Sequence, residues 1–132
     1  MQAPATIALN NGALTPVSKT FSLYYPASGD GGVAEYALEE GTTRDQYPRI
    51  TMSARKRADG RASLTKIALP QVTTNPVTGA VSVVRDAVLI KIEVLAKASV
   101  PQSLCDDGKA YSANLLAAAS VKELFTKQLP LT

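Results

Sequence analysis

Arg49-Ile-Thr-Met-Ser-Ala-Arg-Lys-Arg57, Ala58-Asp-Gly60, Arg61-Ala-Ser-Leu-Thr-Lys-Ile-Ala-Leu69 is the stretch that decides the fold. Asp59-Gly60 is a strong short-range hairpin signal, because such a pair tolerates the positive φ of a tight primed turn. If these two residues form the loop, Arg55 faces Leu64, Ser53 faces Lys66, Thr51 faces Ala68 and Arg49 faces Pro70. Side chains alternate along a strand, so Arg49, Thr51, Ser53, Arg55 and Arg57 share one face with Lys66. Ile50, Met52 and Ala54 take the other with Ile67 and Leu69. The hairpin is therefore cationic and hydroxylic on one side and apolar on the other. Burial of the apolar set pins its register, since a one-residue slip exchanges the faces.

The charge follows the same stretch. Residues 49–66 hold six basic side chains against one acid, Asp59, a balance of +5 that leaves −2 for the rest of a chain whose net charge is +3. A basic strip in an otherwise slightly acidic molecule is a feature a polyanion can find. Lys56 points to the apolar side and is excluded from that surface.

Outward from the hairpin, the same alternation continues. Residues 6–10 form a strand, Asn11-Gly12 supplies a two-residue turn, and residues 20–25 form a second strand that stops at Pro26. Residues 27–32 turn, 33–38 form a short strand, 39–46 a polar connection, and a longer strand starts at Pro48. Residues 71–79 have loop composition. Residues 80–97 form the last strand, with Val88, Ile90, Ile92 and Val94 alternating against Ala87, Leu89, Lys91 and Glu93; strand order puts Lys91 on the cationic face. After Pro101 the period becomes helical through Leu104, Tyr111, Leu115 and Ala118. Ser120-Val-Lys-Glu123 fits a capping box opening a second helix, with Val121, Leu124, Phe125 and Leu129 on one side and Pro130 as its stop.

The expected architecture is α+β, a single domain over residues 1–132. It comprises an N-terminal hairpin (1–26), a main antiparallel sheet meander (33–100) and two C-terminal helices (103–130). So little helix cannot cover a wide apolar sheet face, and a partner's helices laid across it, with edge strands paired, would solve the problem. An obligate homodimer is expected, with Tyr111, Leu115, Val121, Leu124 and Phe125 at its interface.

The 132 residues, 45% hydrophobic and 19% charged, suit one soluble globular domain. The absence of histidine removes the usual general base and the Ser-His and Cys-His nucleophile pairs, and no serine–lysine or carboxylate constellation is convincingly spaced, so no enzyme is expected. Cys105 stands alone and reads as an ordinary small side chain; Glu39-Glu40 with Asp45 reads as a solvated loop; no metal or other cofactor is expected. The apolar run 87–100 is broken by Lys91, Glu93 and Lys97, short of the roughly 18 apolar residues of a membrane span. The N-terminus lacks a secretory pattern, so no membrane partner is expected.

Several strings, in this order and spacing, resemble the coat proteins of single-stranded RNA bacteriophages of the levivirus type. They are Gly32-Val-Ala-Glu-Tyr36, Arg49-Ile-Thr-Met-Ser-Ala-Arg55, Pro70-Gln-Val72 and the stretch from Ala110-Tyr111 through Leu129-Pro130. The resemblance implies a non-enzymatic capsid subunit, made in the bacterial host cytoplasm and carried in the virion, whose dimers assemble into an icosahedral shell around the RNA genome. It implies helices that pack on the partner subunit and a sheet that lines the interior. That sheet would bind an RNA hairpin acting as packaging signal and translational operator. By position, the family's RNA contacts fall on Arg49, Thr51, Ser53, Arg55 and Lys66, with Val33 at an apolar pocket; face sharing adds Arg57 and Lys91. Thr73, Thr74, Asn75, Pro76, Val77, Thr78 and Gly79 fall in the loop between dimers. Where the family often presents a stacking tyrosine and an asparagine, this chain has Ala87 and Leu89, and Leu64 and Ala68 replace polar positions. Aromatic stacking is worth about 1–3 kcal/mol per base, so hairpin recognition should be weaker or differently built. The alternative is a dimeric sheet-based RNA-binding regulator that forms no shell.

Overall fold

The computed structural model describes residues 3–130. The chain forms two compact units, one through Leu95 and one from Ala96 onward. Strands β1 (Thr6–Asn10), β2 (Ser18–Tyr25), β3 (Val33–Ala37), β4 (Arg49–Arg57), β5 (Gly60–Thr74) and β6 (Val81–Lys97) lie in chain order in one antiparallel sheet. Helix α1 (Gln102–Ala117) is followed by a 3-10 turn (Ala119–Val121) and the short α2 (Lys122–Thr126). The N-terminal hairpin thus continues the main sheet.

The hairpin that decides the fold turns one step earlier than Asp59-Gly60 predicts. Ala58 and Asp59 form the turn, Gly60 opens β5 opposite Arg57, and the register pairs Arg55 with Ala62, Ser53 with Leu64, Thr51 with Lys66 and Arg49 with Ala68. Each expected partner is displaced by two residues. Because two is the period of a strand, every side chain keeps its face, and Ile50 opposes Ile67 on the apolar side.

That side carries the core. Phe21, Ala34, Tyr36 and Ile50 are buried, flanked by Ile7, Leu23, Leu38, Met52 and Ile67. Tyr36 has no exposed surface, and its hydroxyl donates to the Pro4 carbonyl at 2.7 Å, which satisfies a buried polar tip and ties down the start of the described chain. The turn before β3 is folded by glycines: Gly29 and Gly31 both have φ of 82°, and a Cβ on Gly32 would sit 2.7 Å from the Ser28 amide nitrogen. Between them Asp30 grips the hairpin. Its Oδ2 accepts the Lys56 amide at 2.8 Å and its Oδ1 accepts Arg61 Nη2 at 2.8 Å. The Lys56 amide first, and the Arg61 guanidinium second, hold the Asp30 carboxyl below the usual carboxylate range.

Four other expectations are corrected. Asn11-Gly12 is no two-residue turn: the Asn11 side chain accepts the Ala13 and Val17 amides at 3.2 and 3.0 Å and organises a longer loop, so β2 starts at Ser18. The loop expected over residues 71–79 is shorter, because β5 runs on through Thr74. Thr73 and Thr74 are therefore strand residues. Ser120 makes no capping bond; it lies in the 3-10 turn, and Val121 stands at the α2 N-cap without a side-chain bond. Finally, α2 ends at Thr126 rather than at Pro130, with Gln128 in the left-handed region at φ 58°.

Candidate nucleic-acid interface

Register and alternation build the face opposite the core. β3 contributes Val33 and Glu35, opposed to Ser53 and Thr51, and β4 contributes Arg49, Thr51, Ser53, Arg55 and Arg57. β5 adds Lys66 with Leu64 and Ala68. Arg85 and Leu89 of β6 line a hollow of about 430 Å³ together with Glu35, Arg49, Thr51, Lys66, Ala68 and Asp86. Lys91 lies two residues beyond Leu89 on the same strand and so on the same side. The structure thus gathers every residue expected on this face, and Val33, at the start of β3, is 53% exposed.

The cations on it are not equivalent. Arg49 Nη1 donates to Glu35 Oε1 at 3.2 Å, and its Nη2 donates to the Arg44 carbonyl at 3.0 Å, so this guanidinium is fixed on two sides and its charge is matched. Arg57 approaches Asp59 at 4.0 Å across the turn. Arg55, Lys66, Arg85 and Lys91 form no ion pair among the described residues and remain available to an anion. On the core side Arg61 is taken by Asp30. Sequence reasoning misses Glu35 and Arg85. Arg85 has the same odd spacing as Leu89 and Lys91 and was within reach of the alternation rule. Glu35 needed the β3–β4 register, which a connection of eleven residues between Ala37 and Arg49 does not reveal.

That connection is organised by side chains. The Tyr24 hydroxyl, at a register shift in β2, donates to Glu39 Oε1 at 2.6 Å, and the Arg44 guanidinium lies 5.7 Å from the centre of its ring. The Glu39 carboxylate pushes the Tyr24 phenol up to about 12. Glu40 pairs with Lys19. Two of the three acids in this polar stretch thus hold the loop.

The β5–β6 loop is closed on itself. Asn75 N donates to the Ala80 carbonyl at 2.7 Å, Asn75 Oδ1 accepts the Val77 and Thr78 amides at 2.9 and 3.3 Å, and Gly79 turns at φ 73°. Val77 is left 90% exposed at its tip. In the helical unit Tyr111, Leu115, Leu124 and Phe125 are exposed and Val121 is half-buried.

The levivirus coat protein model matches residues 2–130. The chain belongs to the levivirus coat protein family. Its fold is that of the subunits in the virus-like particle of bacteriophage NT-214, at TM-score 0.84 and 20% identity with 98% of each chain covered. The virus-like particle of Beihai levi-like virus 21 gives 0.82 at 17% identity, again over 98% of each chain. That of bacteriophage ESE058 gives 0.77 at 14% identity over 98% of this chain and 99% of the other. No curated protein matches the chain. As a levivirus coat protein it is a structural component of the virion.

Proposed function

We propose that this coat protein assembles as homodimers into a closed icosahedral shell in the host cytoplasm. In this reading the face of the sheet bearing Thr51, Ser53, Arg55, Arg57, Lys66 and Lys91, with Arg49 and Val33 at its margin, binds the single-stranded RNA genome. Within the genome an RNA hairpin serves as packaging signal and translational operator. The observation that carries this is the segregation of the sheet: uncommitted cations and hydroxyls on one side, the Phe21–Tyr36–Ile50 core on the other. Phosphate attraction is sequence-independent, and four to five contacts per subunit give a salt slope of about −3 to −4.5.

Dimerisation is supported by surfaces a lone subunit leaves open. Val88, Ile90 and Ile92 of β6 and Tyr111, Leu115, Leu124 and Phe125 of the helical unit are all exposed, an extent of apolar surface that marks an interface. β6 is also the last strand of the sheet, with a free hydrogen-bonding edge. The self-closed loop from Asn75 to Gly79 is the proposed contact between dimers. Expression of the protein alone in bacteria is expected to yield closed particles containing nuclease-protected RNA, visible by electron microscopy. Finite dimers at high protein concentration would favour the regulator reading, and a stable monomer would overturn both.

A further inference from the structure

The hollow on the cationic face contains two carboxylates where the proposed polyanion would lie, Asp86 on β6 beside Arg85 and Glu35 on β3. Of the two, among the described residues, only Glu35 is held by a cation of the same face. Glu35 has 22% of its side chain exposed, and Arg49, 3.2 Å away, neutralises and orients it through Oε1. Its Oε2 takes no hydrogen bond among the described residues. A phosphate is repelled by such a group, whereas two adjacent N–H donors are attracted to it. Among the bases of RNA only guanine has two adjacent donors on its Watson–Crick edge, N1–H and the N2 amine. Adenine and cytosine each pair one amine with a ring acceptor, and uracil flanks one N–H with carbonyl oxygens. The rest of the hollow suits a base: Leu89 and Ala68 offer aliphatic surface for its plane, and Lys66 and Arg85 are placed for the phosphates on either side. We infer that Glu35, held by Arg49, is a specificity-determining residue that selects an unpaired guanine in the bound RNA. This rests on the proposed RNA-binding function of the same face.

The test uses the full-length protein freed of RNA and five fluorescent pentamers, UUGUU, UUIUU, UUAUU, UUCUU and UUUUU, titrated at low salt. Inosine keeps N1–H and lacks the amine, so the comparison removes one of the two bonds. The wild-type protein is expected to bind UUGUU about tenfold more tightly than UUIUU or UUAUU, in keeping with a bidentate contact. Glu35→Gln should bring the pentamers within about twofold of one another without weakening UUUUU. Equal binding of the guanine, inosine and adenine pentamers by the wild-type protein overturns the inference and needs no variant. A Glu35→Gln protein weakened equally towards all five also overturns it, because Glu35 would then only hold Arg49. Failure of the wild-type protein to bind any pentamer would instead remove the RNA-binding reading, and the inference with it.

Discussion

Asp30 accepts a main-chain amide with one carboxylate oxygen and a guanidinium with the other, and both donors belong to the hairpin that carries the cationic face. Its depressed pKa makes the grip pH-dependent. Folding favours the ionised form, so the contribution is complete above the unfolded-state value of about 3.9 and is lost as pH falls through the lower native value. Asp30→Ala is expected to lower the thermal midpoint at neutral pH, with the gap to wild type closing in acid; melts at matched protein concentration from neutral pH downwards check this. Nothing in the sequence marks Asp30, since a Ser-Gly-Asp-Gly-Gly run reads as a turn whatever its acid touches. Arg49 is the converse case. Its face was legible by alternation, but its partner Glu35 was not, and the pairing changes what the residue can do.

At the scale of the element, β4 and β5 present a row of side chains with unequal freedom. Arg55 has no acidic partner among the described residues, whereas Arg49 has one on the same face. Arg55→Ala should therefore reduce the steepness of the salt dependence by about 0.7–0.9, the share of one phosphate contact, with Arg49→Ala reducing it less. Filter binding of structureless RNA across a salt series measures both. The faces of these strands could be read from the chain because alternation survives a displacement of two residues. The turn itself could not: Asp59-Gly60 signals a reversal without saying whether glycine is in the loop or begins the next strand. The same ambiguity governs Asn11-Gly12, where the asparagine side chain collects two amides of its own loop and lengthens it. At Ser120 the capping pattern is present in letters, but a 3-10 turn uses those residues first. Local motifs compete for the same few backbone donors, and the winner depends on how the preceding helix ends.

At the scale of the whole molecule, the sheet and the helical unit each leave apolar side chains open, which is the property of a subunit rather than of a finished protein. Leu124→Asp puts a charge into the proposed dimer surface, where a buried charge without a partner is costly. The expected outcome is loss of particles and of the dimer in sedimentation, while the wild-type chain at the same concentration assembles. The order of strands and helices was legible from hydrophobic period alone. The expectation of a second copy rests on too little helix for too wide a sheet. The hairpin register also limits how coat proteins of this kind can drift apart in length. Within the paired strands from Arg49 to Arg57 and from Gly60 to Lys66 a gain or loss of one residue turns part of a strand inside out, and in a shell of identical copies that fault recurs at every position. Changes there should come in pairs.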